Sequence, residues 1–146
     1  MTFEAALKAD NPIYEISIRL RGSYESMTRP ERMFWEASYF LGDTLNGGLI
    51  QTLENSTGDN AGSVETFVNE YCNDSLRAIF QELNQMFPGA QIPATREERQ
   101  ATIAKLQKSD DPFEDLTKRF YALEEAFNEG LLALAKKHRE SFRGLR

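Results

Sequence analysis

Few residues in this chain are equipped for chemistry. There is one histidine, His138, and one cysteine, Cys72. A nitrogen- or sulfur-ligated metal site needs three or four such ligands, so the sequence points to no metal site of that kind. A lone cysteine also forms no internal disulfide and fits a reducing compartment. Acid–base work would fall to carboxylate pairs, and Asp110-Asp111 and Glu124-Glu125 are the candidates. Neighbours on a helix diverge by about 100°, so neither pair converges on one substrate atom. No nucleophile–base pair and no cofactor fingerprint is visible. The expectation is a non-catalytic protein with no catalytic residues, no metal and no cofactor.

The remaining chemistry is that of amides. Asn46-Gly47-Gly48-Leu49-Ile50-Gln51-Thr52-Leu53-Glu54-Asn55-Ser56-Thr57-Gly58-Asp59-Asn60 is the one stretch whose residue order exceeds simple amphipathicity. Asn46 fits the last position of a preceding helix, and Gly47 the left-handed residue that closes it. Gly48 would let two helices approach closely or start the next one. In a helix from Leu49 to Asn55, Leu49, Ile50 and Leu53 share one face, and Gln51 and Asn55 another. Asn55, Ser56 and Gly58 read as a helix end, and Asp59 or Asn60 as the next N-cap. Two roles stand open. The stretch is a structural corner whose amides satisfy backbone groups, or Asn46, Gln51 and Asn55 line a polar pocket for a ligand or partner loop. It lacks the Lys and the strand–glycine–helix order of a phosphate loop.

The pattern N-G-G-L-I-Q-x-x-x-N-S-x-G-D-x-A over Asn46 to Ala61 resembles the signature of a family of small bacterial proteins named after a DNA-mimic protein. Signature positions here are Asn46, Gly47, Gly48, Gln51, Asn55, Ser56 and Gly58. The family's usual form has Phe after the glycines and an aromatic pair after Gln; Leu49, Thr52 and Leu53 stand there in this chain. The resemblance runs from about Thr28 to His138 and takes in Phe87-Pro88-Gly89 and Phe120-Tyr121 followed by Glu124-Glu125. It implies an all-helical fold and a surface that imitates DNA to a DNA-binding protein.

Charge distribution bears on that implication. The chain carries a net −6 over 146 residues. Residues 1–35 hold five acids and five bases, residues 36–91 eight acids and one base (Arg77), and residues 92–146 ten acids and eleven bases. The acidic block is Glu36, Asp43, Glu54, Asp59, Glu65, Glu70, Asp74 and Glu82. A field of that sign attracts basic partners and repels nucleic acid. Duplex DNA presents two charges per roughly 3.4 Å of axis, and the order of these carboxylates along the chain does not tell whether they form two rows. A solvated acidic face that aids solubility is the plainer alternative.

The elements that must position these residues follow from periodicity. The expectation is all-α, one compact multi-helix domain over 1–146, with an N-terminal helical segment at 1–27 and the family-like core at 28–142. Phe3, Ala6 and Leu7 make a short amphipathic turn. Asp10 or Asn11 before Pro12 starts a helix carrying Ile13, Ile16, Leu20 and Tyr24, with a strand as rival reading. Thr28 and Glu31 form a capping box. The helix after it is apolar around most of its girth (Phe34, Trp35, Phe40, Leu41), which marks a central element. Trp35 and Tyr39 belong to core or rim. Ala61, Val64, Phe67, Val68, Tyr71 and Cys72 form a stripe that makes Cys72 a buried thiol of low reactivity. Asn73 or Asp74 caps a helix with Leu76, Ile79, Phe80, Leu83 and Phe87 inside, ended by Pro88-Gly89. Thr95 to Glu98 is a second capping box, opening an exposed helix with Ile103 and Leu106. Lys108 to Asp111 is a turn.

One long C-terminal helix is expected from Asp110 or Asp111 and Pro112 through His138, with Phe142 as an extension and Gly130 as a bend. At about 1.5 Å per residue it would span on the order of 40 Å. Its stripe serves the core or a homodimer seam. His138 at its end favours the helix dipole.

No apolar run reaches membrane-spanning length, and the N-terminus lacks a basic region followed by an apolar stretch. The expectation is therefore cytoplasmic, without membrane or direct nucleic-acid contact. The reading that joins these observations is an acidic protein-binding domain, including a DNA mimic that covers the basic face of a regulator. The alternatives are an immunity- or antitoxin-like protein that neutralises a basic toxin, and a hydrolase-like enzyme with a polar pocket at the signature.

Overall fold

A computed structural model describes residues 1–20, 24–106 and 110–142. These are mostly helical, with no strand among them, and form a single all-α domain. The expected Lys108–Asp111 turn falls in part outside the described residues.

Helices α1 (Phe3–Leu7) and α2 (Pro12–Arg19) begin at side-chain caps. Thr2 accepts from the Ala5 amide, and Asn11 accepts from the Tyr14 amide with Pro12 in the first turn. The rival strand reading, which would rest on the alternating Ile16, Ile18 and Leu20, is not realised: Ile16 and Leu20 are buried on one helical side, and Ile18 is half-buried. Tyr24 leaves that face, in a 3-10 turn at Tyr24–Ser26.

The axis of the molecule is α3 (Arg29–Glu54). Its capping box is complete: the Glu31 amide donates to Thr28 Oγ1, and Glu31 accepts from the Thr28 amide. The helix breaks at Gly47 (φ −147°, ψ 15°) and Gly48 (φ 83°, ψ 172°). This corrects the sequence reading in one detail. The residue with positive φ is Gly48, not Gly47.

A 3-10 turn at Ser56–Asn60 leads into α4 (Ala61–Tyr71), and α5 (Asp74–Gln85) follows with Asn73 as its cap. Asn60 occupies the N-cap position of α4 without a side-chain cap bond. Gly89, at φ 70°, turns the chain after α5, and α6 (Arg96–Leu106) lies beyond it.

The single long C-terminal helix is not formed. It divides into α7 (Glu114–Tyr121) and α8 (Glu124–Lys137), with a break at Ala122–Leu123. The physical reason is packing. Helix α7 lies against α3 and α5, whereas α8 lies against α2, α3 and α4, and one straight rod cannot follow both directions. The start also shifts to Glu114, because the Asp111 carboxylate takes the Phe113 amide and makes a separate turn. Gly130 does not bend α8. A Cβ there would meet Cys72 Sγ at 2.7 Å, so the glycine lets α8 press on α4.

Phenylalanines fill the centre. Phe34, Phe40, Phe67, Phe80, Phe113, Phe120 and Phe127 are fully buried. Phe67–Phe127 and Phe120–Phe127 ring pairs, at 5.1 and 5.6 Å, tie α4, α7 and α8 together. Such tilted contacts add about 0.5–1.5 kcal/mol each beyond burial. Among the described residues, no helix is long and apolar enough to cross a membrane.

Candidate functional site

Breaking α3 at Gly47–Gly48 frees backbone groups that the helix would otherwise pair, and buried unpaired groups are costly. Helix α7 supplies partners. The Leu49 amide donates to Thr117 Oγ1 at 3.1 Å, and Tyr121 Oη donates to the Thr44 carbonyl at 3.0 Å. Thr117 and Tyr121 are four apart, so one face of α7 covers both sides of the break. Inside it, the buried Thr44 and Thr52 hydroxyls share a 2.8 Å bond.

Helix α6 closes the other end of the signature. Arg99 is completely buried. Its guanidinium donates to the carbonyls of Leu53 (2.8 Å), Asn55 (2.9 Å) and Pro93 (3.0 Å), and to Asp59 Oδ1 (2.7 Å). A cation at a helix C-terminus is favoured by the dipole as well as by these bonds. Arg96 and Gln100 both donate to the Glu54 carbonyl. Gly58 must be small: a Cβ would come within 2.8 Å of both Arg99 Nε and the Thr52 carbonyl oxygen.

The signature amides converge on one carboxylate. Gln51 Nε2 donates to Asp43 Oδ1 at 2.7 Å, and Asn55 Nδ2 donates to Asp43 Oδ2 at 3.2 Å. Gln51 reaches back across Gly47, where a Cβ would fall 1.9 Å from its Oε1. Asn46 does not join this grip. It is exposed and lines a groove that also contains Asp43. The structure therefore places Gln51 and Asn55 behind Asp43, and Asp43 with Asn46 on the groove wall. Ser56 is exposed beyond them.

The groove lies between α2, α3 and the start of α8 and has a volume of about 580 Å³. Tyr14, Tyr39, Asp43, Asn46, Glu124 and Asn128 are among its walls. Tyr14 and Tyr39 are exposed. Trp35 packs against Tyr39 in a tilted pair with ring centroids 4.4 Å apart, which puts this pair on the rim. Among the described lining residues the charged ones are both carboxylates, Asp43 and Glu124.

The other members of the acidic block are scattered and largely engaged. Glu36 is buried and accepts from Tyr24 Oη at 2.9 Å, so it is not part of an exposed face. That bond is also the leading reason the Tyr24 hydroxyl titrates above its usual range. Asp59 pairs with Arg99, Asp74 with Arg77, and Glu82 with Arg119. Arg119 makes two bonds to Glu82, which hold its carboxyl below the ordinary range. Glu65 accepts from Asn84. Glu54 is half-buried and Glu70 exposed.

Two other reactive groups have local roles. Burial pushes the Cys72 thiol up to about 12, far from the thiolate range. His138 caps the C-terminus of α8, where its Nε2 meets Tyr71 Oη at 3.1 Å. Among the described residues, no group of three His, Cys, Asp or Glu could hold a metal ion.

A family model covers this architecture from the Tyr24–Ser26 turn to the His138 cap: DMP19-like protein matches residues 25–138. The chain belongs to the DMP19-like protein family. The match spans the broken helix, the groove's Tyr39, Asp43, Asn46, Glu124 and Asn128, and the α6 and α7 residues that hold the break. Tyr14 and the rest of α2 lie before it. No curated protein and no solved structure matches the chain. The DMP19-like family is not a known enzyme family.

Sequence reasoning missed Arg99, Thr117 and the groove wall from α8. For Arg99 a signal existed. It stands four residues before Ile103, on the one apolar face of α6.

Proposed function

We propose that this DMP19-like protein is a non-catalytic binding module for a basic protein, and that it acts as a DNA mimic by occupying that partner's nucleic-acid-binding face. Family membership carries the reading, because the family takes its name from a DNA-mimic protein. The charge distribution supports it: eight acids against one base between residues 36 and 91 make a field that draws Lys- and Arg-rich surfaces. Internal ion pairs spend part of that charge on the fold. The mimicry therefore rests on fewer outward carboxylates than the acid count suggests, with Asp43, Glu70 and Glu124 among those available.

Binding by occupancy needs no bond chemistry. Carboxylates stand where phosphates would, and the partner's cations exchange one polyanion for another. The test is affinity capture from lysate of the source organism across a salt series, repeated with duplex DNA as competitor. A DNA-binding protein, released by salt and by duplex DNA, is the expected result. A basic toxin enzyme indifferent to DNA would replace mimicry with an immunity role. A partner held equally at high salt would overturn the electrostatic account.

A further inference from the structure

We propose that the α2–α3–α8 groove is the anchor point for one arginine side chain of the basic partner. This deepens the reading above and rests on it for the source of that arginine. Asp43 is held by the neutral amides of Gln51 and Asn55, and no ion pair to a described cation neutralises it, unlike Asp59, Asp74 and Glu82. Its negative charge is therefore fixed in position while remaining uncompensated. A carboxylate has about four acceptor directions, and these amides do not exhaust them. Glu124 supplies a second carboxylate from another helix.

The walls decide the chemistry of the occupant. Tyr14 and Tyr39 offer exposed aromatic faces, and Asn46 and Asn128 offer amide oxygens. A planar guanidinium stacks on tyrosine and directs five donors outward in its plane, whereas an ammonium is a compact, strongly hydrated point charge. At about 580 Å³ the groove falls in the size range of small-ligand sites. Aromatic and arginine contacts are also the residue types that dominate protein interfaces energetically.

The probe is N-acetyl-arginine amide, titrated into the full chain at low salt and followed by amide and tyrosine NMR shifts. Its neutral isostere, N-acetyl-citrulline amide, is the control. Saturable shifts confined to Tyr14, Tyr39, Asp43, Asn46 and Asn128 are expected, and the citrulline compound should bind at least about fivefold more weakly. Asp43→Asn should weaken the arginine probe by a similar factor. Because Asp43 also holds the signature, Glu124→Gln and Tyr14→Ala, both at exposed positions, provide independent variants with the same expected direction. Equal binding of arginine and citrulline, shifts spread over the surface, or full binding by both exposed-site variants would overturn the proposal. Arginine binding in the groove without capture of any basic protein would leave the groove standing and remove the wider reading. Capture of a DNA-competed partner undiminished by Glu124→Gln and Tyr14→Ala would do the reverse.

Discussion

Gly48 combines φ 83° with ψ 172°, a region open in practice to glycine alone. Gly48→Ala should cost about 1–3 kcal/mol in urea unfolding. Gly42→Ala, in a helical stretch with open space around the added methyl, should be neutral or stabilising by up to about 1 kcal/mol. Equal effects of the two would refute a strained break. Arg99 makes the larger claim. Arg99→Met removes the donor shared by the Leu53, Asn55 and Pro93 carbonyls, and should lower stability by about 3 kcal/mol or more. A loss under about 1 kcal/mol would mean that the signature's end is held by something else. The glycines at 47, 48 and 58 were legible as special residues in the sequence. Which of them carries the positive φ was not, and the need for Gly47 to be small comes from Gln51 folding back over it. Arg99 looked like one more exposed charge on a polar helix, and only three-dimensional closure against α3 makes it internal.

At the scale of elements, the Thr28 cap and the Pro88-Gly89 stop were readable, and the caps Asn11 and Asn73 were narrowed to one of two neighbours each, because each is a local rule satisfied by neighbours in sequence. The division of α7 from α8 was masked by a continuous apolar stripe, since Phe120, Leu123 and Phe127 keep helical spacing across the break. Charges marked it: Lys118 and Arg119 end α7, and Glu124 and Glu125 begin α8, as two helix dipoles would favour. Instead, Glu124-Glu125 stood out as a carboxylate pair or part of a family resemblance. The dependence of the broken α3 on α7 is testable. Thr117→Val keeps the shape but leaves the Leu49 amide without its acceptor, so the variant should lose about 1–3 kcal/mol. Hydrogen exchange should show the loss as faster exchange at Leu49. Unchanged exchange there would contradict the assignment of Thr117 as the partner of the break.

Over the whole molecule, carboxylates divide between holding the fold and facing outward, and acid count alone does not separate them. Glu82 illustrates the first kind. Its folded-state titration lies below the ordinary carboxylate value of 4.5 because Arg119 donates to it. The pair therefore contributes stability above that value and loses it as pH falls through the lowered one. Wild type and Glu82→Gln should differ in urea midpoint at neutral pH and converge in acid; a constant difference from pH 7 to 3 would disprove the linkage. The outward carboxylates carry the functional claim, and the partner they would meet is not written in the chain. Sequence pattern and family membership reach the fold and the sign of the field. The groove required knowing that α2, α3 and α8 meet.

The most direct measurement is displacement. The captured DNA-binding partner, bound to a fluorescent duplex, would be titrated with this protein while polarisation is read at two salt concentrations. Mimicry predicts loss of the DNA signal at near-stoichiometric protein, with displacement weakening as salt rises. A ternary complex that retains the DNA, or no displacement at any concentration, would contradict it.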